Sequence, residues 1–259
     1  MQEGHNLDKF WRKGIATECY PRRGAGPILL MKTYPIFAII EDRPCLVVGG
    51  GAVGERKVQD LRVAGALVTV VSLSLTPALA ELAAAGHIRY LNEDFSPDQV
   101  QGMVLVLAAT DDRRVNARVS AAAQAQSIWV NVADDPEFCT FIVPAQVKRG
   151  DLTLAISTGG ASPALARKLR RELQQRFGPE YGPYLALLQG VRTRLLTERR
   201  GRPENAALFH QLVDSPLLEA VARGDRARVV AVLREILGDA LSPQVLGELT
   251  SEAFQEIWG

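Results

Sequence analysis

Cys45-Leu-Val-Val-Gly-Gly-Gly-Ala-Val-Gly54 decides how this chain is read. Four apolar residues bounded by turn formers suit a strand buried on both faces of a parallel sheet. Ala52 to Ala64 then reads as a helix, with Val53, Val58, Leu61 and Ala64 available for burial and Gly65 at its end. Gly49-Gly-Gly51-Ala-Val-Gly54 matches GxGxxG, a pattern that is common when it stands alone. Its place between a strand and a helix is what points to a dinucleotide rather than a bare turn. In that setting Gly49 permits the tight turn, Gly51 lets a pyrophosphate approach the backbone, and Gly54 brings the helix close to the sheet. The backbone of Ala52, Val53 and Gly54 then offers free N–H groups to the phosphates.

Working outward, apolar runs and helical stretches alternate. Val68 to Val71, Ile88 to Leu91, Val104 to Ala108 and Ile128 to Val132 read as strands. Helices are expected from Thr76-Pro77 through Ala85 and from Asp112 to Gln126. Such alternation predicts an α/β fold, a Rossmann-like parallel sheet covered on both faces. The character changes after Asp135-Pro136. Thr140 to Val147 and Leu152 to Ser157 are β-rich runs on either side of Lys148-Arg-Gly150, a β–β pair. Ser162-Pro163 opens a helix that stops at Gly178-Pro179. Beyond it Tyr184, Leu187, Leu188, Val191 and Leu195 share one helical face, as do Val229, Leu233, Ile236 and Leu237. The resulting division is a flexible extension over 1–30, a nucleotide-binding domain over 31–140, a β–β–α connector over 141–178 and a helical C-terminal domain over 179–259.

Composition narrows the function classes. The 259 residues have a formal charge of +1, which argues against bulk binding to nucleic acid or anionic lipid. Cys19, Cys45 and Cys139 form no short pairing, so neither a disulfide scaffold nor a cysteine-rich zinc module is expected, and a reducing cytoplasm fits. Three scattered histidines make no metal site. No apolar run reaches the ~18 residues of a membrane helix, and the first thirty residues lack the apolar core of a secretory signal.

In an open parallel sheet the ligand lies beyond the carboxyl ends of the strands. Ser72 stands there, at the end of the second strand, where an acid would grip a ribose 2′-hydroxyl. A serine can bond a ribose hydroxyl or a phosphate, which leaves NAD and NADP both open; no arginine beside it asks for a 2′-phosphate, and NAD is favoured. Thr110, in Ala108-Ala-Thr-Asp-Asp112, joins the cofactor-binding set, while Asp112 reads as a helix cap. Asn131 and Asp134 close the next strand and face the cleft, where a carboxylate can act as base and an asparagine can bind substrate. Thr158, in Ser157-Thr-Gly-Gly-Ala-Ser162, lies in a second small-residue loop at a helix N-terminus. It suits an anion or a tight interface equally. Arg167, Arg170 and Arg171 share a helical face that is either solvated or matched to a ligand with several carboxylates.

Taken in order, these motifs resemble a known family. They are Tyr34-Pro-Ile-Phe37, Val47-Val-Gly-Gly-Gly51 with Glu55-Arg-Lys57, Ala108-Ala-Thr-Asp-Asp112 with Val115-Asn116, and Asn131-Val132 with Asp134. Phe141-Ile with Pro144 and Ser157-Thr-Gly-Gly160 with Ser162-Pro163 complete the set. The chain is similar, from about residue 34 to 175, to the precorrin-2 dehydrogenase/sirohydrochlorin ferrochelatase family, which forms the N-terminal part of multifunctional siroheme synthase. The resemblance implies oxidation of precorrin-2 to sirohydrochlorin with NAD⁺, and in many relatives insertion of Fe²⁺ to give siroheme. It places Asp134 at the aspartate implicated in both activities and Gly49 and Gly51 at the pyrophosphate. It also implies that the connector pairs two chains into a homodimer. Where some relatives carry a second, phosphorylatable serine, this chain has Thr158. The methyltransferase domain of the fused enzymes is absent from this sequence, so a separate uroporphyrinogen methyltransferase is expected upstream. The family's acidic tetrapyrrole gives the basic cluster, and Arg113-Arg114, a use. A non-catalytic module that senses NAD is the alternative from another class; Asp134 and the Thr158 loop argue against it.

Overall fold

The computed structural model describes residues 31–198 and 200–258. The extension expected over residues 1–30 lies outside the described residues. Two compact units divide the chain, one ending at Val143 and the other beginning at Pro144.

In the first unit, β1 (Pro44–Val48), β2 (Leu67–Val71), β3 (Arg89–Leu91), β4 (Leu105–Ala108) and β5 (Trp129–Val132) form one parallel sheet in the order β3-β2-β1-β4-β5. Helices α1 (Ala52–Val63), α2 (Pro77–Ala84) and α3 (Arg113–Ala125) lie in the crossovers. The two-residue period of the strands sorts their side chains. Leu46, Val48, Val106 and Val130 pack with Val119 and Ala123 of α3. Cys45, Val47, Val70 and Leu107 pack with Val58 of α1 and Leu79 of α2. Both faces are therefore buried, which is why the strands read as unbroken apolar runs.

Register fixes where loops gather. Val48 pairs with Val71 on one side and Ala108 on the other, and Ala108 pairs with Val132. Four strands thus end at one level, and the residues that follow them share one edge of the sheet. Strand order reverses between β1 and β4, which opens a crevice at that edge.

Local chemistry sets the helix starts. Thr76 Oγ1 accepts the Leu79 N–H at 3.3 Å, with Pro77 in the first turn. Asp112 accepts the Arg114 N–H at 2.7 Å and is the cap that its position suggests. One strand expectation fails. Residues 140–144 are not a strand, and the run begins only at Ala145. Thr140 instead fastens to β5, its N–H donating to Val130 O and its Oγ1 accepting the Val130 N–H, each at 2.8 Å. Pro144 has no N–H to give to a ladder.

The second unit opens with an antiparallel hairpin, β6 (Ala145–Arg149) and β7 (Leu152–Ile156). Gly150, at φ +55°, starts its two-residue loop. Helix α4 (Pro163–Arg176) packs on the hairpin, and the Arg149 guanidinium donates to Phe177 O and Gln174 O at the end of α4. Ser162 caps the start of α4 by accepting the Leu165 N–H at 3.2 Å. Helices α5 (Tyr181–Glu198), α6 (Glu204–Asp214), α7 (Leu217–Ala222), α8 (Arg226–Leu237) and α9 (Pro243–Trp258) follow. Their apolar faces meet in a separate core around Leu187, Val191, Leu212, Leu217 and Leu233.

Candidate active site

The glycine loop leaves β1 and is closed by backbone contacts that admit no side chain. Gly49 has φ +115°, and a Cβ there would lie 2.4 Å from Ala109 O. A Cβ on Gly50 would lie 2.1 Å from Ser74 O, and one on Gly54 2.1 Å from Gly49 O. Gly54 therefore lets α1 press onto the loop that precedes it. Gly51 differs. It is exposed, it begins α1 with no side-chain cap, and a Cβ on it would meet nothing within 4 Å. The open space lies in front of the helix N-terminus, with exposed Ala52 and Val53 beside it, where a diphosphate is attracted by unpaired N–H groups.

The neighbouring strand ends hold this loop. Ser72 Oγ accepts the Gly50 N–H at 3.0 Å, and its carbonyl accepts the Tyr90 hydroxyl at 3.0 Å. Ser72 thus ties β2 to the glycine loop at the position where a ribose would be met. Thr110, after β4, is gripped by Asn116 of α3. The asparagine Oδ1 accepts the Thr110 hydroxyl at 2.8 Å, and its Nδ2 donates to Thr110 O at 2.9 Å. Asn116 is buried, and nothing in its local sequence announces the latch.

Asp134 follows β5 on the same edge. It is exposed. Its φ is +58°, in the left-handed region that a non-glycine residue adopts at a cost and that aspartate tolerates better than most. Asn131 lies inside rather than in the cleft. Its side-chain amide donates to Phe141 O at 3.1 Å and approaches Cys139 Sγ at 3.5 Å. Cys139 Sγ also accepts the Val132 N–H at 3.1 Å. Burial pushes the Cys139 thiol above its ordinary value. The chain after Asp134 is thereby strapped back onto β5.

Arg113 is committed to that strap. Its guanidinium lies 2.8 Å from Asp135 Oδ2 and 3.6 Å from Glu137, over the Phe138 ring. The pair Arg113-Arg114 thus does not present two uncommitted cations. Lys57 of α1 is half-buried, and burial lowers its pKa below the ordinary lysine value. Arg56 pushes the same way, opposed by Asp60, Cys139 and Asp134.

The remaining candidates belong to the second unit. Thr158 Oγ1 accepts the Ser162 N–H at 3.2 Å and Thr158 O accepts the Ala161 N–H at 2.9 Å, which folds the loop onto the start of α4. Arg167, Arg170 and Arg171 are exposed along α4. Lys168 pairs with Glu172 at 3.7 Å on the same helix. Among the described residues no group of three or more His, Cys, Asp or Glu side chains could hold a metal ion. No helix among them is long and apolar enough to cross a membrane.

Comparison with known proteins agrees with this geometry. Residues 36–145 match a family model described as putative NAD(P)-binding, and residues 149–176 match one described as sirohaem biosynthesis protein central. The chain is 45% identical to a siroheme synthase of Methylobacillus flagellatus over 207 residues, which is 78% of this chain and 44% of that protein. It is 40% identical to siroheme synthase 3 of Aeromonas hydrophila, over 81% of this chain and 45% of the relative. The chain thus spans less than half the length of these relatives. Among solved structures it resembles SirC, a precorrin-2 dehydrogenase, with a TM-score of 0.67 and 25% identity, covering 79% of this chain and 98% of that one.

Proposed function

The chain belongs to the family of the siroheme synthase N-terminal module, and on that premise we propose that it oxidises precorrin-2 to sirohydrochlorin with NAD⁺. One observation carries the reading. The glycine loop after β1 and Asp134 after β5 lie on one edge of the same sheet, the first built for a diphosphate and the second carrying a carboxylate on strained backbone.

The oxidation removes one hydride and one proton from the tetrapyrrole. Bound NAD⁺ supplies the hydride acceptor. The chain's residues do the rest. N–H groups at the start of α1 hold the pyrophosphate in the space that Gly51 leaves open. Ser72 meets the adenosine ribose through its O–H, since its oxygen already accepts the Gly50 N–H. Asn116 fixes the loop that carries Thr110, from which Thr110 would help to hold the cofactor. The Asp134 carboxylate takes the proton, and its exposure gives the accepted proton a path to water. An uncharged Ser72 with no neighbouring arginine favours NAD⁺ over NADP⁺.

Insertion of Fe²⁺ into sirohydrochlorin is the second proposed activity. It is redox-neutral: two pyrrole N–H protons leave as the metal substrate enters, and Asp134 can accept them in turn. The substrate is supplied by methylation of uroporphyrinogen. Thr158 and the arginines at 167, 170 and 171 contribute to holding a ligand rich in carboxylates. Pairing of two chains through the β6–β7 hairpin is supported by the open edges that its two-stranded sheet leaves. A cytoplasmic setting fits the free thiols of Cys45 and Cys139.

The test is to mix the purified protein with precorrin-2 and NAD⁺ under anaerobic conditions, follow the absorbance of the macrocycle, and then add Fe²⁺. Oxidation followed by a siroheme spectrum supports both activities. Oxidation without metal insertion leaves a dehydrogenase only, and no oxidation removes the reading.

A further inference from the structure

We propose that Cys139 is a positioning residue for Asp134, its thiol clasping the two ends of the turn that presents the carboxylate to substrate. That Asp134 takes the proton rests on the dehydrogenase reading above; that the thiol holds its turn rests on hydrogen bonds of this chain alone.

Ala133 and Asp134 make a tight turn after β5, between Val132 and Asp135. The turn is poorly fitted to stand by itself. Asp134 has φ +58° at a position that such turns usually give to glycine. The backbone bond that should close it, from the Asp135 N–H to Val132 O, is stretched to 3.5 Å. Left to its own bonds, this backbone would relax and carry the carboxylate with it.

Cys139 Sγ supplies what the turn lacks. It accepts the Val132 N–H at 3.1 Å and lies 3.4 Å from both Val132 O and Asp135 O, either of which can take the thiol proton. The Asn131 amide approaches the same sulfur at 3.5 Å. One atom thus touches residues on both sides of Asp134. Cys139 is itself held on a rigid frame. Pro136–Phe138 form one turn of 3₁₀ helix, after which the Cys139 N–H donates to Pro136 O at 3.2 Å. The buried Ser120 hydroxyl of α3 donates to Phe138 O at 2.7 Å, and Thr140 is bonded to Val130 on β5. With its neighbours fastened to α3 and β5, the thiol passes the rigidity of the sheet to the turn. Arg113 also ties Asp135, yet its guanidinium is exposed and water weakens the pair.

The experiment compares wild type with Cys139→Ser, which keeps a donor and an acceptor, and Cys139→Val, which keeps the bulk and neither. Cys139→Ala takes the place of Cys139→Val if thermal melts show the valine variant unfolded. Two readouts are taken: steady-state oxidation of precorrin-2 by NAD⁺, and amide hydrogen exchange of the intact protein. A positioning role predicts that Cys139→Val lowers kcat roughly tenfold or more, since a catalytic group misplaced by about 1 Å can lose ~100-fold. KM for precorrin-2 and affinity for NAD⁺ stay unchanged, and Cys139→Ser recovers most of kcat. Exchange at 132 and 135 quickens in Cys139→Val alone, while β1 and β4 keep their protection. Equal kcat in all the proteins overturns the proposal, as does unchanged exchange at 132 and 135. So does a serine variant as slow as the valine variant, or a loss spread over KM and NAD⁺ affinity, which would make Cys139 a general packing residue. A wild type that oxidises nothing removes the dehydrogenase reading; the exchange pattern then decides by itself whether the thiol holds the turn.

Discussion

Glycines of one motif do different work, and substitution separates them. Gly51 has φ −81°, which alanine adopts freely, and open space where its Cβ would go. Gly51→Ala is expected to leave the melting temperature unchanged while weakening NAD⁺ binding at least tenfold, because the new methyl stands where the diphosphate must approach. Gly54→Ala places a Cβ 2.1 Å from Gly49 O and must move α1 off the sheet. It is expected to cost about 1–3 kcal/mol of stability, read from denaturant unfolding. Asp134→Ala should keep NAD⁺ binding, because Asp134 touches no part of the glycine loop's bonding, yet lose turnover; Asp134→Asn separates charge from backbone preference, since asparagine also tolerates a left-handed φ. At this scale the sequence identified GxGxxG by its context. It could not reveal that Ser72 holds the glycine loop, because that hydrogen bond joins residues 22 positions apart.

Among the elements, β4 and α3 form a device of their own. Asn116 makes three hydrogen bonds to Thr110, fixing the loop between them. Asn116→Ala removes these partners and leaves the Thr110 N–H and C=O to water. Weaker NAD⁺ binding and faster amide hydrogen exchange at 109–111 are expected, with the melting temperature lowered only modestly. Strand and helix positions were legible because buried parallel strands read as short apolar runs and because Thr76-Pro77, Asp112 and Ser162-Pro163 are strong helix starts. The segment 140–144 misled for a physical reason. Its β-branched and aromatic residues suit a strand, but Thr140 and Asn131 spend their bonding on strapping the segment to β5. Asn131, expected to face substrate, is in this structure a fastening of that strap.

For the molecule as a whole, two separate cores have to be held, and the sheet core contains a pH sensor of its own stability. Cys45 is fully buried on β1, and burial raises its thiol from 9.0 to about 11. The folded state therefore favours the protonated thiol. That stability is fully present below pH 9 and is lost as pH rises through about 11. Melting temperature should fall across this window in wild type, and less steeply in Cys45→Val; equal slopes would show that other groups dominate. The near-zero net charge of the chain hid what the fold makes of its charges. Arg113 is paired with Asp135 and Glu137, whereas Arg167, Arg170 and Arg171 stand exposed along α4. The central claim is that the sheet edge carrying Asp134 removes a hydride and a proton from precorrin-2. It is tested most directly by anaerobic single-turnover oxidation of precorrin-2 with NAD⁺, comparing wild type with Asp134→Ala at matched cofactor occupancy. The account predicts one NADH formed for each precorrin-2 consumed by wild type and none by the variant. NADH formation at equal rates in both, or none in wild type with both ligands bound, would contradict it.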